Sequence, residues 1–107
     1  SLFERVLDNL IDNALVHAKP GTRIVLGPQS DPKWVRVAVR NSGEPIAEAD
    51  REALFDPFYR ASQSADKRHA GLGLAICKRI MDNMDGLISV DNTPDGVVFR
   101  VSLKRYS

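Results

Sequence analysis

The sequence predicts an α+β fold: a two-layer α/β sandwich in which a mostly antiparallel sheet carries its helices on one face. Two observations lead to this prediction. The apolar pattern gives the element order α-β-β-α-loop-α-β-β, which lacks the strand–helix alternation of a doubly wound dinucleotide fold. The turn sequence NTPDG between two apolar runs near the C-terminus indicates a hairpin, which pairs neighbouring strands antiparallel.

Length and composition are those of one ordinary domain. The 107 residues are 43% hydrophobic, enough for a core, and the net charge of +1 gives no reason to expect a nucleic-acid or membrane partner. No apolar run approaches the roughly 20 residues that span a bilayer. We expect Cys77, which stands among apolar neighbours, to be a small buried hydrophobe, and a reducing cytoplasmic location fits. Because the sequence opens directly on a helical pattern, we expect residues 1–107 to be a domain excised from a longer protein.

The first predicted element is an amphipathic helix that ends at Pro20-Gly21. Its apolar residues recur every three or four positions: Phe3, Val6, Leu7, Leu10, Ala14 and Ala18. Asn9 and Asn13 lie one turn apart on another side, with His17 one turn further. Because Asn is unfavourable in helix interiors, two on one face indicate a polar site, and the alternative is a solvated helix edge.

Two strands are predicted next, over residues 22–26 and 33–40, joined by GPQSDP. The segment NSGEP is then predicted as a turn, followed by a short helix over about residues 47–54. An Asn at a strand end, beside a glycine that permits close approach, can recognise the edge of a base. Asn41 and Gly43 have this arrangement, but the residues alone favour a plain turn.

Residues 55–71 show no clean period and are predicted as a long loop, which in a compact domain is usually functional or disordered. Its Arg60, Lys67 and Arg68 carry groups that pair well with phosphate oxygens. The loop leads into HAGLGL, where Gly71 and Gly73 would let backbone N–H groups approach a phosphate at the start of a helix over 73–84. The alternative is a flexible hinge, and no Walker motif follows. The last strands are predicted over 87–90 and 97–103.

The sequence offers little for metal ligation by histidine or cysteine. His17 and His69 have no neighbouring metal ligands, so no zinc site is predicted. No Ser/His/Asp arrangement can be assembled from local spacing either.

Four segments, in this order, resemble the ATP-binding catalytic domain of bacterial sensor histidine kinases, in the superfamily shared with gyrase-type topoisomerases and a heat-shock chaperone. RVLDNLIDNALVHA resembles the asparagine box, VRNSGEPI the first glycine box, LFDPFYRAS the phenylalanine box and AGLGLAICKRIM the second glycine box. The closing GLISVDNTPDGVVFRVSL resembles the family's terminal hairpin.

The resemblance implies a Bergerat-type ATP-binding fold with ATP and Mg²⁺ as cofactors. It also implies transfer of the γ-phosphate to a histidine on the dimerisation and phosphoacceptor helices of the same full-length kinase, and indirectly to a response regulator. The isolated domain is expected to be monomeric and not to phosphorylate itself. It would be the cytoplasmic domain of a protein anchored in the inner membrane.

The resemblance also implies a role for each matching residue. Asn13 takes the place of the magnesium ligand, Asn9 lies beside the phosphates, and Arg60 matches an arginine that reaches them. Asn41 stands where the family has an Asp that accepts a hydrogen bond from the adenine amino group, and Gly43 lets the chain turn there. Further residues placed at the nucleotide are His17, Lys67, Arg68, Gly71, Leu72, Gly73 and Leu74.

Four positions depart from the family pattern. Asn41 replaces the Asp, Pro45 the second glycine of its box, His69 the first glycine of the lid, and Val16 a Lys that often contacts phosphate. An alternative interpretation is therefore a nucleotide-binding or interaction module that has lost catalysis. We expect residues 61–70 to form a nucleotide-dependent lid.

Asn9 also bears on the type of reaction. ATPases of the superfamily have at this position a Glu that activates water, and an amide cannot act as a general base. The γ-phosphate is therefore better suited to an external nucleophile than to hydrolysis. A third interpretation, a kinase acting on a partner's serine, is disfavoured because such kinases typically carry an acidic residue here.

Overall fold

The computed structural model describes residues 1–30, 32–56 and 72–104. In chain order these residues form α1 (Leu2–His17), β1 (Val25–Ser30), β2 (Trp34–Ser42), α2 (Glu48–Ala53), α3 (Leu72–Asn83), β3 (Leu87–Asn92) and β4 (Gly96–Lys104). The predicted α+β class is confirmed. Within the ranges described, no helix combines the length and apolar character needed to cross a membrane.

The four strands form one antiparallel sheet in the order β1-β2-β4-β3. The central β2–β4 ladder runs from Trp34 opposite Lys104 to Ser42 opposite Gly96. Because side chains alternate between faces along a strand, Val39 shares one face with its partner Phe99. Both side chains are buried, and the hydrophobic core lies on this face of the sheet.

Helices α1 and α3 cover that face. The fully buried residues of α1 are spaced four apart, as an amphipathic helix requires: Val6, Leu10 and Ala14. From α3 the core receives Leu74, Cys77, Ile80 and Met81. Phe99 also contacts Phe55 edge to face, with ring centroids 6.3 Å apart. Burying such a large side chain contributes about 1.5–3 kcal/mol to stability.

The first strand differs from the prediction. β1 covers Val25–Ser30 instead of 22–26, so most of the predicted connector GPQSDP belongs to the strand. The connector contains Pro28, which is unfavourable in a central strand. β1 is an edge strand, where a residue without an N–H is tolerated.

The second strand is longer than predicted. The sequence pattern places Asn41 and Ser42 in a turn, but they continue β2 and pair with Val97 and Gly96 of β4. The turn begins only at Gly43. This correction matters for the site, because it gives Asn41 a fixed position and direction on the sheet.

The bounds of the other described helices and strands agree with the structure to within two residues, except that α1 ends at His17, three residues before Pro20. The NTPDG hairpin is confirmed: the Thr93 N–H donates to the Gly96 carbonyl oxygen at 2.8 Å. β3 extends two residues beyond its predicted end, to Asn92. The predicted lid at 61–70, and most of the predicted long loop, lie outside the described residues.

Candidate functional site

The two asparagines of α1, Asn9 and Asn13, are half-buried. The Asn9 side chain lies close enough to Cys77 of α3 to lower the pKa of that thiol.

Cys77 itself is fully buried, as predicted. Its Sγ–H donates to the carbonyl oxygen of Val6 at 3.6 Å. Burial raises the pKa of the thiol to about 11, and the hydrogen bonds with Asn9 and the Cys77 backbone offset part of that rise. The thiol is therefore an inert core group at neutral pH.

Asn41 is the one buried polar side chain within the described ranges, with 6% of its surface exposed. Its partner Val97 belongs to the core, so the Asn41 side chain emerges on the helix-covered face of the sheet. Its Nδ2 donates to the Ser42 carbonyl oxygen at 2.8 Å. Because that carbonyl can only accept, the amide orientation is fixed, and Oδ1 is the atom available to accept from a ligand.

Gly43 brings the end of β2 against the end of α1. A Cβ built on Gly43 would lie 2.7 Å from the carbonyl oxygen of His17, the last residue of α1. The glycine has φ +151°, and its N–H donates to the Asp95 carbonyl oxygen at 3.3 Å. The structure thus joins two of the predicted site segments through Gly43 and His17, whose side chain is exposed.

The start of α3 is the third predicted segment. Gly73 lies in its first turn, and a Cβ there would meet no atom within 4 Å, so its lack of a side chain leaves open space. Leu74 is a buried core residue, while the backbone of Leu72 begins the helix. The predicted phosphate residues Arg60, Lys67, Arg68 and Gly71 lie outside the described residues.

The β3–β4 hairpin also contributes to this region, although no sequence pattern indicated it. A Cβ on Gly96 would overlap the carbonyl oxygen of Asn41, so β4 lies directly against the backbone of that residue. Asn92, at the end of β3, bonds the backbone of Ile46. The sequence NTPDG predicted a turn, but it could not show that this hairpin packs against the segment that contains Asn41 and Ile46.

Among the described residues, Asn13 could offer a metal ion an oxygen ligand. Within the ranges described, no group of three or more His, Cys, Asp or Glu could hold a metal ion. A half-buried amide oxygen such as that of Asn13 is a hard ligand. Mg²⁺ commonly combines one or two protein oxygens with phosphates and water.

Known proteins resemble this chain over nearly its whole length. The sequence matches the family described as histidine kinase-, DNA gyrase B- and HSP90-like ATPases over residues 1–107. It is 34% identical over 106 residues to the sensor histidine kinase YcbM of Bacillus subtilis (strain 168), covering 96% of this chain and 34% of YcbM. The chain therefore spans about a third of that relative.

Solved structures show the same fold. The nucleotide-free catalytic domain of histidine kinase ThkA superposes with a TM-score of 0.84 at 35% identity, covering 96% of this chain and 67% of that one. ThkA in complex with the response regulator TrrA gives a TM-score of 0.80 at 34% identity, covering 97% of this chain and 28% of that one. The chain belongs to the histidine kinase-, DNA gyrase B- and HSP90-like ATPases, as a catalytic ATP-binding domain of the sensor histidine kinase type.

Proposed function

We propose that this domain binds Mg-ATP at a site formed by α1, the end of β2 and the start of α3. It donates the γ-phosphate to a histidine on the dimerisation helices of the same full-length kinase. The observation that carries the proposal is the buried Asn41, whose Oδ1 remains available to accept a hydrogen bond from a ligand. Gly43, two residues later, packs against the end of α1. On this proposal, residues 1–107 are the catalytic domain of a kinase anchored in the inner membrane.

Asn41 binds the adenine. Its Oδ1 accepts a hydrogen bond from the exocyclic amino group, as the family's Asp does, but without the charge. A hydrogen bond to a neutral acceptor is weaker than one to a carboxylate, by roughly half. Modest affinity for adenine is the expected consequence.

The phosphates lie further along α1 and at the start of α3. Asn13 contributes an amide oxygen to Mg²⁺, and Asn9 lies one turn nearer the helix start. When bound, Mg²⁺ would neutralise part of the negative charge of the phosphates. The resemblance assigns the backbone N–H groups at Gly71 and Gly73 and the side chains of Arg60, Lys67 and Arg68 to the phosphate oxygens. It also assigns His17, Leu72 and Leu74 to the nucleotide site.

The reaction is a transfer to a protein nucleophile instead of hydrolysis. Asn9 cannot take a proton from water, because a neutral amide is not a general base at neutral pH. Catalysis therefore consists of holding the nucleotide and neutralising its charge while an external imidazole attacks. A response regulator then receives the phosphate indirectly, a proposal supported by the solved complex of ThkA with TrrA.

Calorimetric titration with a non-hydrolysable ATP analogue, with and without Mg²⁺, tests the nucleotide site. Magnesium-dependent binding is the expected result. No binding at millimolar ligand would contradict the proposal for this chain and favour the alternative of a module that has lost catalysis. Incubation with radiolabelled ATP should label a longer kinase chain that carries the acceptor helices, and should not label this domain alone.

A further inference from the structure

The β3–β4 hairpin forms three contacts with the backbone of the segment that begins at the end of β2. The first is the close approach of Gly96 to the Asn41 carbonyl oxygen. The second is the hydrogen bond from the Gly43 N–H to the Asp95 carbonyl oxygen, at 3.3 Å. The third is made by Asn92. The segment is therefore held along its length by one hairpin.

Asn92 makes two hydrogen bonds to one residue far away in sequence. The Ile46 N–H donates to Asn92 Oδ1 at 2.8 Å, and Asn92 Nδ2 donates to the Ile46 carbonyl oxygen at 2.9 Å. This is the pattern by which a neighbouring strand would pair with Ile46, supplied here by a side chain. An exposed Asn with no partner would be free to rotate, whereas both ends of this amide are engaged.

The register shows what this pair of bonds does. Asn92, Val97 and Asn41 lie side by side on β3, β4 and β2, on the helix-covered face. β2 and β3 are separated by β4, and two strand spacings amount to about 10 Å. Residues 43–46 must therefore cross the end of β4 and reach β3, where Asn92 anchors them.

We propose that Asn92 is a positioning residue of the adenine site: it anchors the far end of the segment that begins at Asn41 and Gly43. This proposal rests on the proposed nucleotide-binding function. Asn92 does not need to touch the nucleotide. Without it, the segment loses its anchor on β3 and the wall beside the adenine becomes mobile, so ordering it on binding costs affinity.

The test compares Asn92→Ala with Asn83→Ala, which removes an exposed Asn at the end of α3. ADP without Mg²⁺ serves as the probe, so that the adenine end dominates. We expect Asn92→Ala to raise the Kd for ADP about fivefold to tenfold, and Asn83→Ala to leave it unchanged. The ratio of affinities for the ATP analogue with and without Mg²⁺ should stay the same in both, because the phosphate end is untouched.

Asn92→Asp is the second variant. Its carboxylate can still accept from the Ile46 N–H but cannot donate to the Ile46 carbonyl oxygen, so its affinity should also fall. Unchanged ADP affinity in folded Asn92→Ala or Asn92→Asp would overturn the positioning role, even if either variant melts earlier. Hydrogen exchange without nucleotide tests the anchor separately: the Ile46 N–H should be protected in the natural domain and exchange faster in Asn92→Ala. A wild-type domain that binds no nucleotide would instead refute the proposed function, while rapid exchange at Ile46 would refute the anchor itself.

Discussion

The α-carbon of Gly43 lies against the carbonyl oxygen of His17, so close that a Cβ would stand 2.7 Å from that oxygen. This contact joins the end of β2 to the last residue of α1. It is made by backbone on both sides, so neither partner can relieve a clash by changing rotamer. The spacing between the asparagines of α1 and Asn41 is therefore set by a contact that only glycine permits.

Gly43→Ala should destabilise the domain by about 1–3 kcal/mol, because the added Cβ meets backbone and φ +151° is strained for any L side chain. Urea unfolding followed by far-UV circular dichroism measures the loss. Gly27→Ala is the matched control, since a Cβ there meets only the Ala38 Cβ at 3.9 Å. Equal stability of the two variants would contradict the assigned contact.

Asn13→Ala should abolish the magnesium dependence of ATP-analogue binding while leaving the fold intact. Alanine is the better helix former, so the unfolding temperature should not fall. Calorimetry with and without Mg²⁺ gives the first quantity, and thermal unfolding the second. Asp12→Ala, an exposed change on the same turn, should retain the magnesium dependence. An unchanged magnesium response in Asn13→Ala would remove Asn13 from the metal role.

Asn41→Asp should tighten adenine binding, because a charged acceptor strengthens the hydrogen bond to the amino group. The structure also predicts that this substitution lowers the stability of the folded domain. The carboxylate loses the donor that now bonds the Ser42 carbonyl oxygen, and it is buried. Burial without a partner raises a carboxyl pKa, so the variant should be less stable than the natural domain by about 1–3 kcal/mol at pH 7.

The sign of the pH effect in Asn41→Asp follows from that raised pKa. Between the ordinary carboxyl pKa of about 4 and the raised value, the folded state holds a proton that the unfolded state has lost, so the stability deficit should shrink as pH falls through this range. The tighter adenine binding applies above the raised pKa, where the carboxylate is charged. Urea unfolding of both proteins from pH 7 to pH 4.5 measures the deficit. A deficit that grows on acidification would contradict burial of this side chain, and weaker ADP binding would show a site built around the amide.

The helices could be predicted well from the sequence, because the spacing of apolar residues that indicates a helix lies within the helix itself. The four-residue spacing of Val6, Leu10 and Ala14 predicted α1, and these three residues are buried. Strand limits were harder to predict. Whether Pro28 breaks a strand depends on whether that strand lies at an edge, and this is a property of the whole sheet.

The site shows the same division between local and long-range information. Asn9 and Asn13 could be selected from their spacing in one helix. The environment of Asn41 could not, because its burial depends on β4, more than fifty residues later in the chain. The two hydrogen bonds between Asn92 and Ile46 could not be predicted from the sequence either, since they join residues that no local motif relates.

The buried thiol of Cys77 should make the stability of the folded domain depend on pH in the alkaline range. Its pKa in the folded domain is about 11, above its ordinary value of 9.0. Between these values the folded state keeps the proton while the unfolded state loses it. Stability from this group is thus fully present below about pH 9 and is lost as pH rises toward about 11, at up to about 1.4 kcal/mol per pH unit.

Cys77→Val isolates this effect. Valine is an apolar replacement of similar size, so any packing change should be independent of pH, and lysine and tyrosine titration is common to both proteins. Urea unfolding under reducing conditions at several values from pH 7.5 to 10.5 gives the two stability curves. The natural domain should lose stability relative to Cys77→Val only above about pH 9. Parallel curves would mean that the thiol titrates alike in both states, which would contradict its burial beside Val6 and Asn9.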